Sequence, residues 1–74
     1  MTTHDPRLIG WLLAWPGLRR GAILPIILRH VERDLSRPIG GAEIVHAALA
    51  VGCRCLINRS GMVVIRRPRH PIPA

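Results

Sequence analysis

The sequence has 74 residues, enough for one small domain that buries about 60% of its unfolded surface. Hydrophobic residues make up 49% of the chain, a generous supply, so some apolar surface is expected to remain for a partner. The only aromatic side chains of the Phe, Trp and Tyr type are Trp11 and Trp15. This excludes domains that stack bases on rows of aromatic rings.

The charge balance is strongly basic. All eleven basic residues are arginine, and the formal net charge is +7. Such a balance predicts an anionic partner: nucleic acid first, an acidic protein surface second and an anionic membrane surface third.

The sequence predicts a cytoplasmic protein without a transmembrane segment. The amino terminus lacks the pattern of a secretory signal, and PGLRRG interrupts the apolar stretch over residues 8–31, so neither half reaches the ~20 apolar residues that span a bilayer. Cys53 and Cys55, two apart on a predicted strand, are expected to be free thiols in a reducing compartment. Their C-x-C spacing is not that of a zinc finger, so no metal and no cofactor are expected.

Capping and proline signals predict the first two helices. Asp5 as N-cap, followed by proline, predicts a helix over residues 6–15 that stops before Pro16. A second helix is expected to begin at residue 21 or 22 and to end at Leu35. Pro25 is tolerated there only in the first turn.

The third helix is predicted over GAEIVHAALAVG, with Gly52 as its C-terminal stop. Helical periodicity assigns four residues to its inward side: Ile44, Val45, Ala48 and Leu49. Four others are assigned to its outward side: Glu43, His46, Ala47 and Ala50.

The runs CRCLIN and MVVIRR flank a short glycine-containing turn and predict a β-hairpin. Strand alternation puts Arg54 and Leu56 on one face of the first strand. In the second strand it puts Val64 and Arg66 opposite to Ile65. Residues 68–74, with three prolines, are expected to form an extended basic tail.

The predicted fold is therefore α+β: three short helices followed by a C-terminal β-hairpin, in one domain over residues 1–67. This order matches the winged helix-turn-helix plan, in which the third helix enters the major groove of DNA and the hairpin contacts phosphate or the minor groove.

Arginines near the C-terminus are the candidate binding residues for nucleic acid or an acidic partner: Arg54, Arg59, Arg66, Arg67 and Arg69. No acidic residue follows Glu43 in the sequence. The alternative interpretation is that these charges only keep a terminal hairpin soluble and protect its edge. The outward face of the third helix, with Glu43 and His46, offers few side chains that read bases, so DNA binding would rest on phosphates and depend steeply on salt.

Catalytic templates fit poorly, because the chain has four carboxylates and lacks G-x-S-x-G, phosphate-loop and H-E-x-x-H motifs. The sequence favours a non-enzymatic DNA-binding regulator of transcription, in the style of small phage or mobile-element proteins. The alternative is a phage-type inhibitor or adaptor that binds an acidic surface of a host nucleic-acid-handling protein. Trp11 and Trp15 mark a possible partner face, and a homodimer through the first helix or part of the second is expected.

Overall fold

The computed structural model describes residues 4–68. These residues fold into three α-helices and a three-stranded antiparallel sheet. The elements in chain order are α1 (Pro6–Ala14), a 3-10 turn (Pro16–Arg19), β1 (Ala22–Ile23), α2 (Leu24–Leu35), α3 (Gly41–Ala50), β2 (Arg54–Ile57) and β3 (Val63–Arg66). The predicted α+β class is confirmed.

The start signals of α1 act as predicted. The Asp5 side chain caps the helix by accepting a hydrogen bond from the Arg7 backbone N–H at 2.9 Å, and proline occupies the first turn. Pro25 lies in the first turn of α2, also as predicted. The predicted start of α2 at residue 21 or 22 is wrong, because the helix begins at Leu24. The later start places Pro25 in the first turn, whereas a proline deeper in the helix would remove a hydrogen bond and clash with the preceding turn.

The predicted hairpin is present, and the sheet has a further strand that the sequence did not indicate. β2 and β3 pair antiparallel, with Arg54 opposite Arg66 and Leu56 opposite Val64. The two residues of β1 pair with the other side of β3, which gives the strand order β1-β3-β2. β3 is therefore the central strand, and its Ile65 is fully buried.

The orientation of α3 differs from the prediction at two positions. Ala47 is fully buried and Leu49 is 55% exposed, so their predicted sides are exchanged. Ile44, Ala47 and Ala48 form the buried stripe, with the i, i+3, i+4 spacing of one helix face. Leu49 follows Ala48 by about 100° around the helix axis and points off this stripe. The small side chains of Ala47 and Ala48 are both fully buried on this face.

Every helix, the 3-10 turn and the sheet contribute to a single apolar core. Its fully buried larger side chains are Leu8, Leu12, Leu18, Ile27, Val31, Ile44 and Ile65. Gly52, just after α3, has a φ of 85° and turns the chain towards β2, as its predicted role as a helix stop requires.

None of the helices in residues 4–68 combines the length and apolarity needed to cross a bilayer. Apart from Pro68, the predicted tail lies outside the described residues.

Candidate functional site

The outer face of the sheet carries two arginines in direct opposition. Arg54 on β2 and Arg66 on β3 are cross-strand partners, so their side chains leave the same face of the sheet. The opposite face holds Cys55 and the buried Ile65, and both arginines are exposed. Like charges directly opposite each other destabilise a sheet. An anion bound between them would relieve this repulsion.

Two further arginines, which sequence reasoning missed, come from the 3-10 turn before β1. The backbone N–H of Arg67 donates to the Leu18 carbonyl at 2.8 Å, and a Cβ added to Gly21 would lie 3.7 Å from the Arg66 Cβ. The segment that contains the exposed Arg19 and Arg20 therefore runs beside the end of β3. We call Arg19, Arg20, Arg54 and Arg66 the basic end of the sheet.

Gly21 occupies the position next to Arg66 on the far side of β3 and has a φ of 92°, in the left-handed region. A side chain there would be strained and would crowd Val64, whose Cγ1 would lie 3.4 Å from the added Cβ. Gly21 is half-buried against β3, and glycine is the residue that adopts this backbone conformation without strain.

Arg59 stands apart from the basic end, on the turn of the hairpin. Asn58 builds this turn: its Oδ1 accepts hydrogen bonds from the backbone N–H groups of Ser60 at 2.9 Å and Met62 at 3.0 Å. Gly61 supplies the left-handed backbone with a φ of 80°. Arg59 is exposed on this turn, five residues along the chain after Arg54 and beyond the end of β2 at Ile57.

Arg67 has a different environment from the other candidate arginines. Its guanidinium donates to the Leu13 carbonyl at the end of α1, and its backbone N–H bonds to Leu18. These contacts tie the end of β3 to the helical half of the protein, and the residue is half-buried. The remaining candidate, Arg69, lies outside the described residues.

All four carboxylates of the chain are engaged on the helical side of the protein. Arg37 bridges two of them, with its Nη2 3.0 Å from Asp5 Oδ2 and 2.6 Å from Glu43 Oε2. Glu32 accepts from the Ile39 backbone N–H at 2.9 Å, and Asp34 accepts from the indole Nε1 of Trp11 at 2.7 Å. Within residues 4–68 no ion pair involves the basic end or Arg59.

These contacts stabilise the charged form of three carboxyls. The Arg7 backbone N–H, aided by Arg37, lowers the pKa of Asp5. The hydrogen bond from Arg37 lowers the pKa of Glu43, and the indole N–H lowers the pKa of Asp34. Each group therefore keeps its negative charge at neutral pH, and each charge is used to hold the helices.

The outward face of α3 offers little base-reading chemistry. Glu43, a predicted member of this face, is half-buried and bound to Arg37. His46 is exposed, and its exposed neighbours on the helix are small or apolar: Ala42, Leu49 and Ala50. Base recognition in the major groove is made mostly by Arg, Lys, Asn and Gln. α3 has none of these four residue types, so its exposed surface is mostly apolar and poorly suited to hydrogen bonding with base edges.

The two tryptophans of the predicted partner face make contacts within the chain. Trp11 and Trp15 stack at 5.0 Å with an angle of 16° between their rings, and Trp15 also lies 5.0 Å from the His30 ring on α2. The Trp15 ring covers Gly17, where an added Cβ would come within 2.6 Å. Both indoles are half-buried and join α1, the 3-10 turn and α2.

The two cysteines and the metal-ligand residue types are dispersed in the described part of the chain. Cys53 and Cys55 are free thiols, and burial raises the pKa of both. A raised pKa disfavours the thiolate, which is the nucleophilic and metal-binding form. No group of three His, Cys, Asp or Glu side chains within residues 4–68 could hold a metal ion.

Comparison with known proteins adds no relative. No protein family, no curated protein and no solved structure matches this chain.

Proposed function

We propose that this protein is a small, non-enzymatic DNA-binding regulator that uses its α+β domain as a winged helix and binds phosphates with the arginines of its sheet. The observation that carries the proposal is the opposed pair of Arg54 and Arg66. Two like charges are directly opposite each other, and within residues 4–68 no carboxylate forms an ion pair with either. A solubilising role alone does not require two cations in register on one face, whereas a polyanion stabilises that arrangement.

The order of the elements supports the same proposal. A hairpin follows the third helix, and β1 completes the sheet against β3. In winged helix-turn-helix proteins the third helix lies in the major groove and the hairpin contacts the backbone. Because α3 exposes mostly alanine and leucine, the energy of binding would come from phosphates and sequence preference would be weak.

Fluorescence anisotropy with a duplex of random sequence tests the proposal. We expect binding at about 50 mM salt that weakens steeply towards 200 mM, because each phosphate contact contributes ~0.9 to the slope of log K against log salt. Four contacts from the basic end would give a slope of about −3.6. Undetectable binding at the lower salt concentration would refute the proposal.

A double substitution locates the contact on the sheet. Arg54→Gln with Arg66→Gln should weaken binding and reduce the slope by about 1.8, the share of two phosphates. The matched control is Arg29→Gln with Arg33→Gln, which removes the same charge from exposed positions on α2. An equal change in both variants would show that net charge, and not the sheet, determines binding.

The second candidate is an inhibitor or adaptor that binds an acidic surface of a host nucleic-acid-handling protein. The apolar surface of α3 favours it, since Leu49 is 55% exposed beside alanines and protein interfaces use such surfaces. A pull-down from nuclease-treated host lysate distinguishes the two. A single stoichiometric protein, retained by the native chain and lost with Leu49→Asp, together with no DNA binding, would favour the second candidate.

A further inference from the structure

The free edge of β2 is the least protected part of the sheet. β2 is an edge strand, and within residues 4–68 no other strand pairs with its outer side. It carries the two most exposed large apolar side chains of the described chain, Leu56 at 58% and Ile57 at 74%. Proteins usually blunt such an edge with proline, lysine or a covering element, because an open edge is a template for another strand.

The hydrogen-bond phase shows which backbone groups this edge offers. The Asn58 N–H donates to the Met62 carbonyl at 2.9 Å, and these two positions continue the register in which Leu56 opposes Val64. Hydrogen-bonded and non-hydrogen-bonded pairs alternate along an antiparallel ladder. The N–H and C=O of Leu56 therefore face β3, and those of Cys55 and Ile57 face the free edge.

We propose that a second copy of this chain pairs with the free edge of β2, antiparallel, about a two-fold axis through Leu56. In this register Leu56 lies opposite its own copy in a non-hydrogen-bonded pair, where side chains approach most closely. Cys55 of each copy exchanges two backbone hydrogen bonds with Ile57 of the other copy. The edge groups of both strands thus gain four hydrogen bonds.

The neighbouring symmetric register, centred on Cys55, is less favourable. It would require Cys53 to bond with Ile57 of the second copy, yet the Cys53 N–H already donates to the Ala48 carbonyl at 2.9 Å. It would also place Arg54 against Leu56. The register centred on Leu56 instead places Arg54 opposite Asn58, so that a cation lies beside a neutral polar side chain.

The one arginine of β2 does not oppose this pairing. The register centred on Leu56 separates the two Arg54 residues by four positions, about 13 Å along the strand, which exceeds the Debye length of about 8 Å in physiological salt. The axis is perpendicular to the sheet, so the Arg54 and Arg66 pairs of both copies lie on the same face of a six-stranded sheet. One extended polyanion can then contact both pairs.

In this proposal the edge of β2, and not the tryptophan face expected from the sequence, is the site of self-association. The Trp11 indole donates a hydrogen bond to Asp34. The Trp15 ring lies against the rings of Trp11 and His30 and covers Gly17. Leu56 and Ile57 have no comparable cover. The edge of β2 is a position where a second copy can bury apolar surface without breaking a hydrogen bond described in residues 4–68.

Sedimentation equilibrium on the full chain tests the dimer with a matched pair of variants. Two four-residue strands bury less than the ~1,200 Å² of standard interfaces, so we expect a weak dimer whose mass rises between about 10 µM and about 1 mM. Leu56→Asp should raise the dissociation constant at least tenfold. Ile26→Asp, at a 37% exposed position on α2, should leave it unchanged. A native chain that stays monomeric throughout, or equal loss in both variants, would overturn the proposal.

Disulfide trapping tests the register. Leu56→Cys in a Cys55→Ser background should form a cross-linked dimer under mild oxidation, because non-hydrogen-bonded partners lie ~4.5 Å apart at Cα, within the range of disulfides. Arg59→Cys in the same background is the control, since Arg59 is exposed but lies off the axis. Equal trapping at both positions, or trapping at residue 59 alone, would contradict this register. Binding of an acidic peptide to the β2 edge with no self-association would identify another occupant and overturn the proposal.

Discussion

The indole N–H of Trp11 donates to the carboxylate of Asp34 across 2.7 Å, joining α1 to α2 on the surface of the protein. The same indole stacks on Trp15, so its ring and its N–H have separate partners. Trp11→Phe keeps an aromatic ring and removes the donor, and we expect it to lower the melting temperature. Asp34→Asn keeps a carbonyl acceptor and should lower it less. Equal melting temperatures for Trp11→Phe and the native chain would contradict this role of the hydrogen bond.

Two glycines of the N-terminal region should respond in opposite ways to the same substitution. Gly10 lies within α1 with no atom near an added Cβ, so Gly10→Ala should stabilise the protein by about 0.5–1 kcal/mol through the helical preference of alanine. Gly17→Ala should destabilise it by about 1–3 kcal/mol, because the methyl group would displace the Trp15 ring. Urea unfolding measures both. A shift of the same sign for the two variants would contradict the packing of Trp15 on Gly17.

Two apolar residues of the sheet should differ widely in their contribution to stability. Ile65 is fully buried and Leu56 is 58% exposed. Ile65→Ala should cost about 2–5 kcal/mol, the range for a large core side chain. Leu56→Ala should cost less than about 0.5 kcal/mol when unfolding is followed at low micromolar concentration, where the chain is monomeric. Similar losses would indicate that Leu56 is buried within the monomer.

Acid should loosen the helical half of the protein. The pKa values of Asp5, Asp34 and Glu43 are lowered in the folded state, so these groups stabilise the fold when the pH is above their unfolded values of about 4. This stability is lost as the pH falls through the lower, folded values. Melting temperatures measured between pH 7 and pH 2 should therefore fall below about pH 4.

The control for this acid transition is Asp5→Asn with Glu43→Gln, which removes the two carboxylates bound by Arg37. Its melting temperature at pH 7 should be lower than that of the native chain, and its decrease below about pH 4 should be smaller. An unchanged acid dependence would mean that other groups control it.

The helices were predictable because their signals are local. Asp5 with its proline, Pro25 and Gly52 each act within one turn of the backbone, and the structure has them where the sequence indicated. β1 could not be predicted in this way. Ala22 and Ile23 continue the apolar pattern of α2, and they are a strand only because β3, some forty residues later, pairs with them.

In the candidate site, too, features set by local sequence were predictable and features set by contacts between distant residues were not. Strand alternation correctly put Arg54 and Arg66 on faces opposite to the core, since that pattern is local. Arg19 and Arg20 were missed because their proximity to β3 depends on the unpredicted strand. The engagement of Arg67 with Leu13 is a contact between residues 54 positions apart, which periodicity does not report.

The charges that hold the fold together are not those of the proposed binding surface. The carboxylates that could have neutralised the sheet are held by Arg7, Arg37, Trp11 and the Ile39 backbone. Replacing Arg54 or Arg66 therefore removes no side-chain hydrogen bond or ion pair described in residues 4–68, whereas replacing Arg37 breaks two ion pairs. Under the proposed function, substitutions at these two arginines can change the affinity for an anion without breaking a hydrogen bond or ion pair of the fold. The proposed binding surface can therefore evolve independently of the scaffold that carries it.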